Sequence, residues 1–382
     1  MVGANAETAN MTQIHWLNQV SASFNTAADW STGTVPGAGD NAFLDAAGST
    51  AYTVTASTSE TVLSLQLADT ATLAITFGTF TSAGFNGSVN AGTITVSNGA
   101  TFSTVGPVSN SGTIELGSTG FATTLVLSSS ANLTGGGTIS LSDNAGNTIE
   151  LPKHAIVTNV DNTIVGSGLV TGPAGSAAVF NEAGGVIDAD NKTPLTFKIG
   201  VNNAGLIETT GKGHCTIKGE LINTGLLEAN GGKLALKQGA AGSGSAVISA
   251  GTIDAEGAFS QNVSFTGRSG KLELARSDLY AASTTGFSLA GKISLDLGDI
   301  GFVSSSEASF SGTATSGVLT VTDGSHTAHI HLTGDYRAST FIASSDGNGR
   351  TLVATSTSPS AAAAHRFIAA AAGLARSAGE AI

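Results

Sequence analysis

Short runs of alternating or consecutive apolar residues recur along most of this chain, and a polar turn sequence precedes many of them. Leu206-Ile207 and Leu226-Leu227 are examples, and each pair follows an Asn-x-Gly sequence. Alternate residues of a strand face the same side, so such runs are typical of strands with one buried face. The pattern predicts many short strands, each about four to six residues long, separated by glycine-containing turns.

The turn sequence repeats at a fixed distance. Its four clearest copies pair an asparagine with a glycine two positions later: Asn90 with Gly92, Asn110 with Gly112, Asn203 with Gly205, and Asn223 with Gly225. The copies at 90 and 110 have the same separation as those at 203 and 223, about 20 residues. Asparagine tolerates a left-handed backbone and its side chain can bond the chain two positions on, whereas glycine adopts positive φ without steric strain. We therefore predict a turn at each copy.

A turn and a short strand that recur at a period of about 20 residues describe the coils of a solenoid. Coils of a parallel β-helix stack about 4.8 Å apart, so equivalent residues lie above one another, asparagine on asparagine and isoleucine on isoleucine. A β-sandwich or barrel also contains many short strands and is the alternative. Repetition of one turn sequence at one period favours an all-β, parallel β-solenoid (β-helix), and the handedness of parallel crossovers predicts that it is right-handed.

Four segments are predicted from changes along the sequence. They are an N-terminal segment with a solenoid cap (1–49), a β-solenoid of roughly 12 coils (50–300), a small β C-terminal module (301–357) and an Ala-rich tail (358–382). Trp16 and Trp30, the only two tryptophans, lie in the first segment, where a large ring can cover the open end of a hydrophobic coil. The tail is predicted to be a short helix with the role of a C-terminal secretion signal; a disordered tail is the alternative.

Composition narrows the class of protein. Glycine supplies 51 of 382 residues and charged residues only 11%, while hydrophobic residues make up 41%. Such a chain can form a core, which argues against disorder. Lys and Arg total 15 without clustering and the net charge is −12, so neither nucleic acid nor an anionic membrane surface is an expected partner. The sequence contains no apolar run long enough for a membrane-spanning helix, so none is predicted.

The single cysteine and the start of the chain bear on location. Cys215 cannot form an intrachain disulfide and is predicted to be a buried thiol. The segment 1–14 lacks the basic and apolar regions of a secretory signal peptide. Export without an N-terminal signal peptide is the expectation, and a cytoplasmic location is the alternative.

The predicted cap carries a recognisable sequence. Residues 29–45 read Asp-Trp-Ser-Thr-Gly-Thr-Val-Pro-Gly-Ala-Gly-Asp-Asn-Ala-Phe-Leu-Asp. This sequence resembles the segment that precedes the β-solenoid in many secreted and cell-surface, adhesin-like proteins of bacteria. With Trp16 included, the resemblance covers the range 16–45. It implies a β-solenoid that works at the cell surface or outside the cell.

A second resemblance lies in the predicted C-terminal module. The segment contains, in order, Gly-Val-Leu-Thr-Val-Thr-Asp-Gly (317–324), Ala-His-Ile-His-Leu (328–332), Gly-Asp-Tyr (334–336), Phe341 and Ser-Asp-Gly-Asn-Gly (345–349). These stretches are similar to a C-terminal module of large secreted proteins of alphaproteobacteria. Arg350 departs from that pattern, because a glycine usually stands there. The resemblance implies a secreted location more than an activity.

Histidine and acidic residues of this module are candidate metal ligands. His329 and His331 share one face of a predicted strand, and His326 is a third candidate from across the turn. Asp323 is close in sequence, so these side chains are candidates for binding zinc or copper. Asp346 and Asn348 lie in an Asp-Gly-Asn-Gly turn that is a candidate calcium site, because calcium prefers oxygen ligands. An ordinary hairpin is the alternative for this turn. The sequence predicts no cofactor, with calcium as the alternative.

Carboxylates also recur with the repeat. Glu208 and Glu228 occupy equivalent places in successive copies, and Asp188 and Asp254 are expected to extend the row. Stacking would bring neighbouring backbones to about 5 Å, a separation that suits a catalytic pair or a cation site. A solvated acidic ladder is favoured instead, because residues encoded by a repeat usually serve the repeat. Three lysines are candidates to neutralise it: Lys212, Lys218 and Lys233.

No motif for catalysis accompanies these carboxylates. The sequence has no phosphate-binding loop, dinucleotide fingerprint, zinc-protease motif or nucleophile elbow. We therefore predict a non-enzymatic structural or adhesive protein of a bacterial surface layer, filament or matrix that associates with copies of itself. A polysaccharide-binding or polysaccharide-cleaving β-helix is the alternative, with a cell-surface polysaccharide as partner. The chain has only three Tyr, and its two Trp lie in the predicted cap, so few of these side chains are available to stack on sugars.

Overall fold

Short strands wind into about 12 turns of a β-solenoid in the computed structural model. The structure describes residues 11–173, 175, 177–287 and 292–356. Among the residues that the structure describes, strands account for 57% and helices for 2%, the latter as two 3-10 turns, Ala27–Asp29 and Ser277–Leu279. The predicted all-β parallel β-solenoid is confirmed, and the sandwich or barrel alternative is wrong. The predicted tail, 358–382, lies outside the described residues.

The strands of the stacked coils are short and follow one another at turns. In chain order they are β1 (Thr12–His15), β2 (Ala22–Ser23), β3 (Asp40–Leu44), β4 (Tyr52–Ala56), β5 (Glu60–Val62), β6 (Ser64–Leu67), β7 (Ala71–Ile75), β8 (Thr79–Ser82), β9 (Ser88–Asn90), β10 (Thr93–Ser97), β11 (Thr101–Val105), β12 (Val108–Asn110), β13 (Thr113–Gly117), β14 (Thr123–Ser128), β15 (Ala131–Thr134), β16 (Thr138–Leu141), β17 (Asn147–Glu150), β18 (Ile156–Asn159), β19 (Thr163–Gly166), β20 (Gly168–Thr171), β21 (Ala178–Asn181), β22 (Val186–Ala189), β23 (Leu195–Phe197), β24 (Gly200–Asn203), β25 (Leu206–Ile217), β26 (Leu221–Asn223), β27 (Leu226–Leu236), β28 (Ser245–Ala255), β29 (Asn262–Phe265), β30 (Ser269–Leu274), β31 (Ser283–Thr285) and β32 (Lys292–Gly301). The strands that follow are β33 (Ala308–Gly312), β34 (Ser316–Thr322), β35 (Thr327–Thr333), β36 (Thr340–Ser345) and β37 (Arg350–Ser356).

Each full coil contributes one strand to each of three parallel faces. Sheet A consists of β1, β3, β6, β9, β12, β15, β18, β21, β24 and β26. Sheet B consists of β2, β4, β7, β10, β13, β16, β19, β22, the first parts of β25, β27 and β28, then β29 and β31. Sheet C consists of β5, β8, β11, β14, β17, β20, β23, the last parts of β25, β27 and β28, then β30 and β32.

Alternation of apolar and polar residues fills the interior with stacked side chains. Ile94 lies between Leu73 and Ile114 in sheet B, and Phe102 pairs with Phe80 in sheet C. All five side chains are at most 1% exposed. Burial of equivalent apolar residues in successive coils supplies the main favourable free energy of the fold.

The two tryptophans lie together at the N-terminal end. Trp16 and Trp30 form an antiparallel bridge, and their rings meet edge to face with centroids 4.9 Å apart. The indole Nε1–H of Trp30 donates to the carbonyl of Phe24 at 2.7 Å, which satisfies a polar group that is otherwise buried. Because β1 and β3 already belong to sheet A, the coils begin inside the segment predicted as the cap.

The chain changes from parallel to antiparallel pairing after β32. Strands β33, β34 and β35 form an antiparallel meander, and β36 pairs antiparallel with β37. The module continues the solenoid, because β37 pairs antiparallel with β32 and β35 pairs parallel with β31. The open edges of the last parallel strands in sheets B and C are therefore occupied by this module.

Candidate functional site

The repeated asparagines form a buried ladder at the ends of the sheet A strands. Side-chain amides link successive coils by Nδ2–H donation to Oδ1, from Asn90 to Asn110 at 2.7 Å, Asn159 to Asn181 at 2.8 Å, Asn181 to Asn203 at 2.8 Å, and Asn203 to Asn223 at 2.7 Å. Asn110 reaches past the coil of β15 and donates to Asn162 Oδ1 at 2.8 Å. Gln261 extends the series by accepting from Asn223. The ladder is structural, because it satisfies buried amides that would otherwise be destabilising.

The predicted turn chemistry is partly right. The amide groups of Asn203 and Asn223 donate to the carbonyls two positions on, Gly205 and Gly225, at 3.1 and 3.2 Å. The expectation of a left-handed backbone at the asparagines is wrong. In the described chain the non-glycine residues with positive φ are Ser129 and His154, and the repeated asparagines are not among them. The asparagines keep extended backbone because they end strands, and their side chains point inward.

The glycines of the repeat serve close packing between coils. Gly92, Gly112, Gly205 and Gly225 do not have the positive φ that the sequence suggested. A Cβ atom at Gly112 would lie 2.0 Å from the carbonyl oxygen of Gly92, and one at Gly225 would lie 2.3 Å from that of Gly205. Glycine is needed here because the backbone of the neighbouring coil occupies the space of a side chain.

The acidic row predicted from the repeat is shorter than expected. Asp188 pairs with Glu208 and Glu208 with Glu228 in sheet B. Burial raises the pKa of Glu208, and the charges of Asp188 and Glu228 raise it further. Asp254 is not part of this row, because Glu228 pairs with Val247 and Asp254 lies in sheet C. Lys233, one of the three lysines expected as candidates to neutralise the row, pairs with Asp254 in sheet C.

A larger group of charges lies on the outer side of sheet C near its C-terminal end. We call it the charged groove, a cleft of about 600 Å³ between the ends of β27, β28, β30 and β32 and the turn that joins β36 to β37. Its charged lining side chains are Lys233, Asp254, Glu256, Lys271, Glu273, Asp296, Asp346 and Arg350. The groove therefore combines residues of the solenoid with residues of the C-terminal module.

Two lysines alternate with three carboxylates in this groove. Asp254, Glu273 and Asp296 occupy one register position in successive coils. The Lys233 amine lies 2.7 Å from the carboxylate of Asp254 and 3.1 Å from that of Glu273. The Lys271 amine contacts Glu273 and lies 3.5 Å from Asp296. The lysines thus offset the repulsion that stacked carboxylates would otherwise have.

The groove gives its carboxyl groups different proton affinities. The pKa of Glu273 is lowered, because hydrogen bonds from Lys271 and Lys233 outweigh an opposing effect of burial. The pKa of Asp296 is raised by burial and by the nearby charges of Glu273 and Asp346, against the attraction of Lys271. The pKa of Lys271 is raised, because its bonds to Glu273 and Asp296 outweigh burial. The lowered pKa of Glu273 and the raised pKa of Lys271 both favour the charged forms of this ion pair.

Removal of the shared cation is expected to make stability depend on pH. In Lys271→Met, we expect the free energy of unfolding at pH 7 to fall by about 1 kcal/mol, a value kept small because the lysine is 35% exposed. The lowered pKa of Glu273 stabilises the fold above the unfolded value of about 4.3, and this contribution disappears as pH falls. The raised pKa of Asp296 has the opposite effect on stability: the ionised carboxylate destabilises the fold, and protonation of Asp296 as pH falls removes that destabilisation.

Urea unfolding of wild type and Lys271→Met between pH 2 and pH 7 measures this effect. The deficit of the variant should shrink at the acid end, below about pH 4, where Glu273 becomes protonated and no longer needs the cation. Lys292→Met, at an exposed lysine of β32, is the matched control for loss of one charge. A deficit that is constant across this range would contradict the ion-pair interpretation.

Sequence reasoning missed the groove although one signal was present. Lys271 and Glu273 are separated by one residue in an alternating run and therefore share the outer face of β30. Their partners could not be identified from the repeat, because Asp254 and Asp296 come from the neighbouring strands β28 and β32, and their register with Glu273 depends on the turns between these strands.

The candidate ligands for zinc or copper are not brought together. His329 and His331 are exposed on one face of β35 as expected, but Asp323 lies in the β34–β35 turn and bonds His326 Nδ1 at 3.0 Å. Its carboxylate also accepts from the backbone N–H of Ser325, His326 and Gly301. These bonds lower the pKa of Asp323. Within the described ranges, His, Cys, Asp and Glu form no group of three that could hold a metal.

In the candidate calcium turn, the carboxylate of Asp346 is hydrogen-bonded to the backbone of the turn itself. Asp346 accepts from the backbone N–H of Asn348 at 2.7 Å and of Arg350 at 2.9 Å. These bonds lower the pKa of Asp346 against the effect of burial. One carboxylate oxygen is therefore already used by the hairpin, an arrangement typical of an Asx turn.

Calcium is therefore expected to leave the protein unchanged. We expect the midpoint of thermal unfolding to be the same with calcium and with chelator, because Oδ1 of Asp346 already accepts two backbone N–H bonds within the hairpin. Differential scanning calorimetry in both conditions tests this expectation. A clear rise in the midpoint with calcium, absent in Asp346→Asn, would restore the turn as a calcium site.

The only cysteine is buried in sheet C. Cys215 pairs with Leu195 and Leu234 in register and is completely inaccessible. Burial raises the pKa of its thiol to about 12, which keeps it protonated and unreactive at neutral pH. The prediction of a buried thiol is confirmed.

Comparison with known proteins adds no relative. No protein-family model, no curated protein and no solved structure matches this chain.

Proposed function

We propose that this protein is a non-enzymatic structural and adhesive rod that works outside a bacterial cell and makes its contacts through its lateral faces. The observation that carries the proposal is the continuous parallel stack of coils, in which buried asparagine amides bond from coil to coil. A stack of this kind presents long regular faces at a fixed spacing of about 4.8 Å. The extracellular location is supported by the two resemblances in the sequence.

The C-terminal module directs association away from that end of the rod. Exposed edges of parallel strands are templates for pairing with another chain. At the C-terminal end the edge of β32 is taken by antiparallel β37 and the edge of β31 by β35. We therefore place self-association on the lateral faces. In the described part of the chain, no helix is long and apolar enough to cross a membrane.

Electron microscopy of the negatively stained protein tests the structural role. We expect rods that associate side by side at high protein concentration, with and without calcium. Ordered filaments that grow end to end would contradict the assignment of contacts to lateral faces. Isolated rods under every condition would exclude self-association and leave adhesion to a different partner as the structural role.

A second candidate function is cleavage of a polysaccharide in the charged groove. The lowered pKa of Glu273 and the raised pKa of Asp296 separate two carboxyl groups into a base and an acid, the difference that general acid–base catalysis requires. Against this role, Lys271 contacts both carboxylates, and the groove lining contains no aromatic side chain. We therefore rank it below the structural role.

Release of reducing ends from a panel of neutral and acidic polysaccharides distinguishes the two functions. The structural proposal predicts no release above that of buffer alone. Release that disappears in both Glu273→Gln and Asp296→Asn, but persists in Lys292→Met, would replace the structural proposal with the enzymatic one. The thermal midpoint of each variant shows that a loss of activity is not a loss of fold.

A further inference from the structure

Three phenylalanine side chains stand out on the N-terminal half of the solenoid. Among the residues that the structure describes, the most exposed large apolar side chains are those of Phe85, Phe121 and Phe77, at 81%, 73% and 70%. A single exposed apolar side chain needs no explanation. These three belong to neighbouring coils, those that contain β7 to β14.

Two of the rings lie on the same edge of the solenoid. Phe77 is in the turn between β7 and β8, and Phe121 is in the turn between β13 and β14. The coil of β10 and β11 lies between them, so the two turns are about 10 Å apart along the axis. Asn98 of that middle coil accepts from the backbone N–H of Thr119 and Phe121, each at 2.9 Å. The turn that carries Phe121 is thereby fixed.

The third ring marks the opposite edge of sheet C. Phe85 lies in the turn between β8 and β9, where the chain passes from sheet C to sheet A. The outer face of sheet C in these coils therefore has exposed phenylalanines along both edges. We call this face, formed by β8, β11 and β14 with their two edges, the phenylalanine-edged face.

Hydroxyl groups cover the middle of the phenylalanine-edged face. Thr79, Thr101 and Thr124 are in register on β8, β11 and β14 and are partly exposed. Thr81 and Ser103 form a second row, one alternation further along the strands. Within a row the spacing is about 4.8 Å along the axis, and the rows lie roughly 7 Å apart. Each hydroxyl can both donate and accept a hydrogen bond.

The phenylalanine-edged face carries no charge of its own. Between positions 70 and 142 the sequence contains one ionisable side chain, Glu115, and it belongs to β13 of sheet B rather than to sheet C. On sheet C the nearest charges along the axis are Glu60 in β5 and Glu150 in β17. A partner that matches this surface must be uncharged, because a charged group would lose hydration without gaining a counter-ion.

From these placements we infer that the phenylalanine-edged face binds a neutral, β-linked polysaccharide. The inference deepens the proposed adhesive role and rests on it. Sugar rings of such a chain expose flat C–H faces that can stack on phenyl rings, and their equatorial hydroxyls can bond the threonine rows. Burial of the apolar ring faces supplies affinity, and the hydroxyl rows supply orientation.

A second copy of this chain fits the face less well than a polysaccharide does. The face spans three coils and one strand length, roughly 300 Å². A stable protein–protein interface buries about 800 Å² on each partner. A polymer that offers the same contact many times can hold several rods on one chain or crystal and gains avidity that a single small interface lacks.

Co-sedimentation of the full chain with microcrystalline cellulose and with chitin tests the inference. We expect wild type to bind a neutral insoluble polysaccharide, in low and in high salt alike, because no charge takes part. In the double variant Phe77→Ala/Phe121→Ala we expect the apparent Kd to rise about tenfold. In Phe85→Ala the apparent Kd should rise less, since one ring is lost instead of two. Phe302→Ala, which removes a phenylalanine from the other end of the molecule, should bind like wild type.

Three results would overturn the inference. They are equal binding by wild type and the double variant, no binding by wild type, and binding that high salt abolishes. Analytical ultracentrifugation of the same proteins measures self-association. It therefore distinguishes failure of polysaccharide binding from failure of the structural role. If the double variant loses self-association while polysaccharide binding is absent, the face is a contact between copies, and the adhesive assignment is wrong while the structural role stands.

Discussion

Replacing Gly112 with alanine is expected to lower the free energy of unfolding by roughly 3 kcal/mol or more. The new Cβ atom would lie 2.0 Å from the carbonyl oxygen of Gly92 and 2.6 Å from that of Ala91. Both contacts are with backbone, so no side chain can move aside. The carbonyl of Gly92 also accepts the backbone N–H of Thr113 at 2.9 Å, and separation of the coils would break that bond.

Gly39→Ala is the matched control, because a Cβ atom there meets nothing within 4 Å and the backbone φ is not positive. Urea unfolding followed by circular dichroism gives the change in the free energy of unfolding for each variant. Hydrogen exchange then shows whether the loss is local to the coils of β10 and β13, as expected for a solenoid in which each coil contacts its neighbours. A Gly112→Ala variant as stable as Gly39→Ala would contradict the close-approach explanation.

Loss of one amide from the asparagine ladder is expected to be similarly severe. In Asn203→Ala, the Oδ1 atom of Asn223 loses its donor, and the carbonyls of Gly205 and Leu226 each lose an N–H bond. These groups are buried with the ladder, and a buried unsatisfied polar atom costs about 1–3 kcal/mol. We expect the free energy of unfolding to fall by about 3 kcal/mol, because more than one group is affected.

Two further variants separate hydrogen bonding from packing. Asn203→Asp keeps the shape but replaces the donor with an oxygen that faces Asn223 Oδ1, so it should destabilise at least as much as alanine at pH 7 and less in acid. Asn132→Ala removes an exposed asparagine of β15 and should change the free energy by less than about 0.5 kcal/mol. Near-wild-type stability of Asn203→Asp would show that the ladder bonds contribute little.

Part of the fold could be predicted because it is encoded locally. Alternation in runs such as those after Asn90 and Asn203 predicts which side chains are buried, and the constant sequence distance between equivalent asparagines predicts that coils stack. Both signals survive in the structure, where Ile94 lies on Ile114 and Asn203 on Asn223. Burial of Cys215 follows from the same alternation.

The charged groove and the phenylalanine-edged face could not be predicted in this way. Coils differ in length, since Thr113 pairs with both Thr93 and Thr138, which lie at unequal sequence distances from it. Which residues of distant coils share a position therefore depends on all the turns between them. Asp254 was assigned to the wrong row for this reason, and the turns of Phe77 and Phe121 share an edge without any common sequence signature.

The sequence by itself determined the class of fold, because a repeated turn and a two-residue alternation act over a few positions and need no partner to be recognised. The tertiary structure alone decided what the repeated residues do. From the sequence, Asn110 could belong either to an exposed turn or to an internal ladder. Gly112 could be needed either for positive φ or for close approach of the neighbouring backbone. Only the neighbouring coil, whose backbone and amides lie within hydrogen-bonding distance, distinguishes these roles, since each depends on atoms far away in the sequence.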